Sequence, residues 1–450
     1  MQEHNKKCIY LVPRVLLKNQ FDLDLLEKQD RITLMTYQKI ESLLMDGEKE
    51  LPHYDFIVAD ECHYFTSDSN FNPKTDLSFN WIVAQNTSVK IFMSATIEGF
   101  IHLLTYVFPV WHNPIRLPHD YSYIDKLTFF TSEEHIEQIA NRVIASNRKA
   151  IFFLSSAELT YKIYQRHKEH MIFAVSSSNK YFKNMNHAAI EHVIGDKFFD
   201  SNILITTSVL DSGFNLKDSA IDTILIDMFD PEEIVQCVGR KRILNKQDHV
   251  NLYIRNWSNQ QINGIVKKLR DKLNKALLVT KNEEQYHKVN ERQNDDSGIV
   301  INEPVGVDEQ GNTIYEKRLS ITKFAELEYL AYNLYPEVLE FGYRRYISKL
   351  FDRYDPMTGQ CEYDFMSKES DNLTAYLDSI IGMELLTIKD REPLINAIHA
   401  TNRKGKLLKD IETLNGALKE YGLPHRIMKY STTVGDKRYR NAWKIINPRK

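Results

Sequence analysis

The sequence predicts an α/β protein in which two parallel sheets precede a mainly helical accessory region and a small basic α+β module. Short apolar runs rich in Ile, Val and Phe alternate with polar segments compatible with helices, which is typical of buried parallel strands. The runs fall into two series, separated by the proline-rich stretch "FPVWHNPIRLPHDYSY", which disfavours helix. After Asn256, charged residues alternate with leucine at helical spacing. We therefore predict domains at residues 1–115, 116–257, 258–400 and 401–450.

The predicted strands follow one another in two groups. The first group is "CIYLV", "ITLM", "DFIVAD" and "VKIFM", and the second is "KAIFFL", "MIFAV", "NILITT", "IDTILI" and "VNLYI". Further along the chain we predict a hairpin around Gly311 and an aromatic-rich helix interrupted near Pro336. In the tail we predict a helix that ends near Gly422 and two strands joined at Gly435.

The composition predicts a multi-domain protein of a reducing compartment, which favours the cytoplasm. With 42% hydrophobic residues among 450, the chain can bury several cores. The four cysteines lie far apart without a C-x-x-C pair, which argues against a disulfide framework or a zinc ribbon. No apolar window reaches the roughly 18 residues of a membrane span. The 58 basic and 61 acidic residues nearly balance, but the tail from Thr401 carries 13 basic and 4 acidic residues.

The stretch "FIVADECHYF" is an apolar strand that ends in the carboxylates Asp60 and Glu61, followed by Cys62 and His63. One interpretation is a strand end with solvated acids. The other is a nucleotide-hydrolysing strand, in which the first acid holds Mg²⁺ through water and the second activates the attacking water. Metal chelation by Cys62 and His63 is disfavoured because no second ligand pair stands at a workable spacing.

A second strand, "IFMSATIEG", ends in Ser94 and Thr96, whose hydroxyls could hydrogen-bond the acidic residues and a neighbouring domain. In this order and spacing, the two stretches resemble motifs II and III of the DExH subgroup of superfamily-two helicases. In the second series, "KAIFFLSS", "ILITTSVLDSGFNLKD" and "PEEIVQCVGRKRI" resemble motifs IV, V and VI, and upstream "YLVPRVLLKNQ" resembles motif Ia. The resemblance covers about residues 8–257, and "DECHYF" with "TDLSFNWI" is especially similar to helicase-like proteins of phages and mobile elements.

The resemblance implies a helicase or translocase with two RecA-like domains, which bind ATP and Mg²⁺ in their cleft while a nucleic-acid strand crosses both. Asp60 would handle the metal, Glu61 the water, and His63 the coupling to motif VI. Gln236 and Arg240 would reach across the cleft, where an arginine neutralises charge that develops on the transferred phosphoryl group. Further residues implied at the nucleotide or in coupling the domains are Arg242, Asp211, Gly213, Ser94 and Thr96.

The resemblance also implies contacts with nucleic acid, for which DNA is favoured over RNA. The candidates at strand ends are Arg14, Thr36, Gln38, Ser155, Ser156, Thr206 and Thr207. Contacts of this kind hold phosphates and carry little sequence preference. The alternative role of the serines and threonines is helix capping. The tail has the composition of a small phosphate-binding and base-stacking module, with the candidates Arg438, Arg440, Trp443, Tyr430 and Tyr439. Its alternative is a solvated face.

Two features depart from the family pattern. The chain has no G-x-x-x-x-G-K-[ST], since the first glycine is Gly47 and the single Gly-Lys pair, Gly405-Lys406, is followed by Leu407. The family's phosphate loop precedes motif Ia, so we expect an N-terminally incomplete first domain and a separate or upstream segment that supplies the loop. In motif VI, Ile243 stands where the family has its second arginine, and Arg242 lies about 100° away around a helix.

Two functional hypotheses therefore stand side by side. The ordered motifs favour an ATP-dependent helicase or translocase, whereas the absent loop favours a non-catalytic nucleic-acid-binding protein or a degenerate helicase fragment. A third hypothesis, a restriction-type or nuclease-linked motor, requires a nuclease motif, and the sequence contains no convincing one.

Overall fold

Parallel sheets dominate residues 8–255, which confirms the predicted α/β fold class. The computed structural model describes residues 6–13, 31–46, 51–176, 179–207, 215–282, 284–286, 298–308, 310, 313–366, 368–400, 407–421 and 423–447. Every strand predicted from an apolar run in the two series is present.

The first sheet has the order β2-β1-β3-β4, and all its described strand pairs are parallel. Its strands are β1 (Cys8–Val12), β2 (Ile32–Thr36), β3 (Phe56–Asp60) and β4 (Val89–Met93). Helices α1 (Tyr37–Asp46), α2 (Thr75–Ala84) and α3 (Glu98–His102) belong to the same domain. The core of this domain includes Ile9, Ile57, Ala59, Phe65 and Phe79. Parallel pairing places the carboxyl ends of β3 and β4 next to each other, because Asp60 is in register with Met93.

One part of the first sheet is left uncovered by the described residues. On β4, Val89, Ile91 and Met93 are 54%, 43% and 37% exposed, and they alternate with the half-buried Lys90 and Phe92. β4 also forms an edge of the sheet. Parallel sheets ordinarily have both faces covered, so an open apolar face beside an open edge is unusual.

The second sheet has the order β13-β5-β10-β9-β6-β8-β7, with parallel pairing throughout the described residues. Its strands are β5 (Ile124–Phe130), β6 (Lys149–Leu154), β7 (Met171–Ala174), β8 (Ile203–Thr206), β9 (Ile221–Asp227), β10 (Val250–Arg255) and β13 (Asp364–Met366). Its helices are α4 (Glu133–Ala145), α5 (Ala157–Arg166), α6 (His187–Asp196) and α7 (Pro231–Gly239). Strands β5 and β13 were not predicted. In β5 the exposed Asp125 and Lys126 follow the buried Ile124 and interrupt the apolar run, and β13 comes from the accessory region.

The accessory region combines helices with one hairpin. Its elements are α8 (Asn259–Lys281), β11 (Val300–Val307), β12 (Thr313–Leu319), α9 (Ile321–Tyr329), α10 (Tyr335–Phe341) and α11 (Tyr343–Leu350). The antiparallel pair β11–β12 confirms the predicted hairpin. A π turn at Leu330–Leu334 joins α9 to α10 without a break, and Pro336 follows this turn as the second residue of α10. The irregularity lies where a proline lacks the N–H of a regular helix.

The C-terminal module has a core of its own. It contains α12 (Lys368–Ser379), α13 (Ile388–Ile398), α14 (Ile411–Glu420) and the hairpin β14 (Arg426–Val434) with β15 (Lys437–Ile446). Its core includes Leu377, Leu394, Leu414 and Ile445. This core crosses the predicted boundary at residue 400, because α12 and α13 pack with the hairpin. The other predicted domain boundaries stay predictions. In the described part of the chain, no helix is both long and apolar enough to cross a membrane.

The alternation on the first sheet yields a stability prediction. Ile57→Ala empties a fully buried position on β3, and we expect it to lower the free energy of unfolding by about 2–5 kcal/mol. Ile91→Ala on the neighbouring strand removes a 43% exposed side chain and should cost about 1 kcal/mol or less. Pulse proteolysis in urea measures both values. Equal losses would show that the β4 face is covered.

Candidate active site

Asp60 ends the half-buried strand β3, and Glu61 begins a sharp turn. Glu61 has a left-handed backbone, with φ 49° and ψ 51°, which is uncommon for a residue with a side chain. The chain then enters a 3₁₀ turn at Cys62–Phe65, which buries Cys62, Tyr64 and Phe65. The Tyr37 hydroxyl donates to the main-chain oxygen of Asp60 at 2.7 Å. These contacts fix both carboxylates at the carboxyl edge of the first sheet.

The two carboxyl groups have opposite pKa shifts. Burial and then the Glu61 charge raise the pKa of Asp60, although hydrogen bonds from Tyr10 and from the Glu61 N–H oppose the rise. Their lengths are 3.2 Å from Tyr10 Oη to Oδ2 and 3.0 Å from Glu61 N to Oδ1. Burial would also raise the pKa of Glu61, but the hydrogen bond and charge of His63, with the charges of Arg240 and Arg242, bring this pKa below its ordinary value. Glu61 is therefore held ionised, whereas a cation would stabilise the Asp60 carboxylate.

A series of short polar contacts leads from Glu61 to the second sheet. Glu61 Oε2 lies 3.3 Å from His63 Nδ1, which is 3.0 Å from Ser94 Oγ. Ser94 Oγ in turn accepts from the Thr96 N–H at 3.1 Å and lies 2.8 Å from the Thr96 carbonyl oxygen. Gln236 Nε2 then donates to Thr96 Oγ1 at 2.9 Å. We call this series, from Glu61 through His63, Ser94 and Thr96 to Gln236, the relay.

The second sheet contributes Gln236 and two arginines through helix α7. Asp230 caps this helix by accepting from the Glu232 and Glu233 N–H groups, and Pro231 occupies its first turn. Arg240 follows the helix and is 8% exposed. The structure therefore brings the predicted Asp60, Glu61, His63, Gln236 and Arg240 to facing edges of the two domains.

Arg242 lies two residues after Arg240, in a segment whose backbone is hydrogen-bonded to Leu216. The Leu216 N–H donates to the Arg240 carbonyl and the Arg242 N–H to the Leu216 carbonyl, each at 2.8 Å. Lys241 between them is buried against Asp248 at 3.3 Å. The exposed Arg242 side chain donates from Nε to Asn215 Oδ1 at 3.0 Å, and its charge acts on Glu61 together with that of Arg240. Both arginines are thus candidates for the cation that faces a transferred phosphoryl group.

The acidic end of β3 fits Mg²⁺ better than a metal held by protein ligands alone. Among the described residues, no group of three or more His, Cys, Asp or Glu side chains is placed to hold a metal ion. Mg²⁺ keeps several waters and is usually bound through one or two carboxylates together with substrate phosphates. The partly buried Asp60 carboxylate, destabilised by the Glu61 charge, meets that requirement.

The predicted nucleic-acid contacts of the first half of the chain follow strand ends, and two of them also cap helices. Thr36 Oγ1 accepts from the Lys39 N–H at 3.2 Å, and Ser156 Oγ caps α5 by accepting from the Leu159 N–H at 3.3 Å. The capping role that competes with nucleic-acid contact is therefore real for Thr36, which is buried, and for Ser156, which stays exposed. Gln38 and Ser155 are exposed and cap no helix of the described residues.

Thr206 and Thr207 at the end of β8 are buried, and Thr206 Oγ1 donates to the Thr207 carbonyl at 2.9 Å. Their side chains are therefore less accessible to a nucleic-acid strand than the exposed Ser155. Three further predicted residues, Arg14, Asp211 and Gly213, lie outside the described residues.

The tail hairpin separates its predicted residues by exposure. Arg438 and Arg440 are exposed on β15, and among the described residues neither forms an ion pair. Trp443 is 6% exposed, belongs to the core of the module, and has the Arg391 guanidinium 4.6 Å from its ring centroid. The predicted base-stacking role of Trp443 is therefore wrong, because its ring lies in the buried half of β15 that packs against the helices of the module, whereas the arginines lie in the exposed half next to the turn.

Tyr10 and Tyr37 contact Asp60 but were not predicted. Tyr10 is in register with Val58, so its side chain shares the face of Asp60. The signal was present in "CIYLV", where the tyrosine is the residue with a polar tip between the buried Ile9 and Leu11. Its importance depends on strand order, which the sequence did not give.

Tyr10→Phe tests the environment of Asp60. The substitution removes a hydrogen bond to the ionised carboxylate, so we expect the pKa of Asp60 to rise further above its ordinary value. Carbon-13 NMR of the labelled carboxyl group during a pH titration measures this shift. Tyr37→Phe is the matched control, because its hydroxyl contacts the main-chain oxygen of Asp60. An equal shift in both variants would contradict the assignment.

Comparison with known proteins adds one sequence match and several solved structures. Residues 3–99, about a fifth of the chain, match the family described as type III restriction enzyme, res subunit. This stretch carries Asp60, Glu61, His63, Ser94 and Thr96. No curated protein matches the sequence.

The similar solved structures include Dbp5 of S. cerevisiae bound to RNA and ADP BeF3, at 13% identity and TM-score 0.42, covering 56% of this chain and 71% of that chain. The Escherichia coli DEAH/RHA helicase HrpB has 13% identity and TM-score 0.39, over 57% of this chain and 37% of that chain. The DEAD-box helicase Mss116 bound to ssRNA and UDP-BeF has 15% identity and TM-score 0.41, over 59% and 62%. In sequence, the first α/β domain is thus similar to the res subunit of type III restriction enzymes.

Proposed function

We propose that this chain is an ATP-dependent motor of the superfamily-two helicase type, which couples ATP hydrolysis between its two α/β domains to movement on DNA. The relay carries the proposal. It joins the Glu61 carboxylate of the first sheet to Gln236 of the second through contacts of 2.8–3.3 Å. A purely structural strand end needs no such connection between two domains.

In this proposal each residue at the facing edges has one role. Mg²⁺ supplies positive charge against the phosphates, and Asp60 is the residue that would hold it. Glu61, kept ionised by His63 and the two arginines, orients and accepts a proton from the attacking water. Arg240 and Arg242 stabilise negative charge on the transferred phosphoryl group, as cations do in phosphoryl transfer. Hydrolysis then depends on the distance between the domains, because the relay contacts that connect Gln236 to Glu61 form only when the domains are close.

The phosphate-binding loop comes, in this proposal, from a segment that these 450 residues do not contain. The support is the absence of G-x-x-x-x-G-K-[ST] from the sequence and the exposure of Val89, Ile91 and Met93 on β4, which no described residue covers. A strand added at the β4 edge would place its carboxyl end beside Ser94, and a following helix would cover Ile91 and Met93. A loop between that strand and helix would lie next to Asp60, with amide groups at the helix N-terminus available for phosphate.

The nucleic-acid strand, in this proposal, lies along the carboxyl edges of both sheets, contacted by Gln38, Ser155 and Arg14 and by main-chain groups near Thr36 and Thr206. The tail module adds phosphate contacts through Arg438 and Arg440. Its exposed arginines, without acidic partners among the described residues, support this addition. DNA is the preferred partner in this proposal, and competition between DNA and RNA strands of equal length tests the preference.

The alternative is a non-catalytic nucleic-acid-binding protein. The missing phosphate loop favours it directly. Binding of a fluorescent ATP analogue separates the two functions, because the motor proposal requires that a loop-bearing segment raise nucleotide affinity, whereas the alternative requires no nucleotide binding in either form.

Glu61→Gln tests the motor proposal in the form that carries the loop-bearing segment. We expect single-stranded DNA to stimulate ATP hydrolysis by the parent protein, and the variant to lose about 100-fold or more in kcat because it lacks the general base. Nucleotide binding, followed by fluorescence, should be unchanged. Glu158→Gln, at an exposed position on α5, is the control. No DNA-stimulated hydrolysis in the parent protein would refute the motor.

Reversing charge on the tail hairpin tests its nucleic-acid contact. Arg438→Glu with Arg440→Glu should weaken binding and reduce the slope of log affinity against log salt by roughly 1.4–1.8, which corresponds to two phosphate contacts. Fluorescence anisotropy at several salt concentrations measures both. Lys267→Glu with Lys268→Glu, an exposed basic pair on α8, is the charge-matched control. An equal loss of affinity in the control pair would show that the effect comes from net charge alone.

A further inference from the structure

Residues 320–343, which we call the bridging segment, contact both α/β domains. We infer that the bridging segment sets the position of helix α7, and hence of Gln236 and Arg240, relative to the carboxylates of β3. In this inference Asp76, Tyr329 and Tyr335 are positioning residues for the proposed hydrolysis, and their role in holding the two domains together does not depend on it.

Asp76 of α2 fastens the start of the bridging segment to the first domain. Its carboxylate is 1% exposed in the side chain and accepts from the Ile321 and Thr322 N–H groups, each at 3.0 Å. It also accepts from Thr322 Oγ1 at 2.6 Å and from Arg318 Nη1 at 3.0 Å. Asp76 thus caps the N-terminus of α9 from another domain, and a carboxylate at this end of a helix is favoured by the exposed N–H groups.

A close approach between α3 and α9 adds a second attachment. A Cβ atom at Gly99 would lie 3.0 Å from Glu326 Oε2 and 3.3 Å from the Tyr329 ring. One turn further along, His102 Nε2 lies 3.0 Å from Glu328 Oε2. The two helices therefore approach closely at residue 99, where a side chain would require Glu326 and the Tyr329 ring to shift.

The other end of the bridging segment is fastened to helix α7 of the second domain. The Tyr335 hydroxyl donates to Asp230 Oδ2 at 2.8 Å, while Asp230 Oδ1 caps α7 by accepting from the Glu232 N–H at 2.7 Å. The Tyr329 hydroxyl donates to Glu232 Oε1 at 3.0 Å. One carboxylate therefore binds both the bridging segment and the helix. Gln236 lies six residues along that helix, about 9 Å away, and moves with it.

The carboxyl groups at this junction make the attachment sensitive to pH. Burial, with the charge of Asp230, raises the pKa of Glu326 to about 8 against an opposing hydrogen bond from Thr66. Burial and the charges of Asp230, Glu326 and Glu98 raise the pKa of Glu232, opposed by the Tyr329 hydroxyl.

Other ionisable groups at this junction are His102, Glu328, and Arg116, which is paired with Glu98. A neutral Glu326 permits close packing. The stabilisation is complete below the ordinary glutamate pKa, and it is lost as the pH rises through about 8.

The test measures the distance between the domains without nucleotide, so its outcome is independent of the proposed activity. Spin labels are placed at Phe71→Cys, which is 90% exposed in the first domain, and at the exposed Lys168→Cys in the second, in a Cys361→Ser background. We expect Tyr335→Phe to broaden the distance distribution and shift it to longer values. Tyr332→Phe, on the same segment with its ring 49% exposed, is the matched control and should leave the distribution unchanged.

Two further readouts separate positioning from mere stability. The parent protein should show the same broadening as the pH rises from about 6 to about 9, and Glu326→Gln should reduce this dependence. In the loop-bearing form, Tyr335→Phe should lower kcat about tenfold or more with KM for ATP unchanged, since a misplacement near 1 Å is enough for such a loss. Unchanged distances in Tyr335→Phe and Tyr329→Phe, with native circular dichroism, would overturn the inference.

Discussion

Parallel strand pairing is the constraint on which the whole arrangement depends. A parallel strand must be reached by a crossover, so the turns that follow the strands of one sheet collect on one edge. In the first sheet this edge holds Asp60, Glu61 and Ser94. In the second sheet, the turn that follows β9 lies at this edge and leads into helix α7, which carries Gln236. Because both edges face the same gap, a short polar series can join a carboxylate of one sheet to an amide of the other.

The strands and their polar ends could be predicted because they are local properties of the sequence. An apolar run of buried residues followed by Asp60 and Glu61 needs no knowledge of distant parts of the chain. β5 could not be predicted, because its charged first half hides a strand that only pairing with β10 stabilises. The burial of Trp443 could not be predicted either, because it depends on where the C-terminal module forms its core. Residues of the three helices α12, α13 and α14 determine that position. The pairing of Asp76 with Ile321 joins residues 245 positions apart, beyond any periodicity.

The accessory region packs between the two α/β domains and contributes residues to both of their cores. Ala325 belongs to the core of the first domain, whereas Tyr335 and Val338 belong to that of the second. Carboxyl groups at this junction are expensive to bury unless each finds donors or stays neutral. Asp76 finds five donors and Asp230 shares its oxygens between two elements, while Glu326 is shifted towards the neutral form. Buried carboxyl groups with such specific partners favour one arrangement of the domains over other arrangements that would bury the same apolar area.

The buried carboxylate of Asp76 also constrains the order in which the protein can mature on the ribosome. Its helix-end partners are encoded 245 and 246 residues downstream, so at about 5–20 residues per second they emerge roughly 12–50 s later. During that interval the nascent first domain carries a charge that its final packing would bury without donors. The first α/β domain therefore gains these hydrogen bonds only after the strands of the second domain have been synthesised.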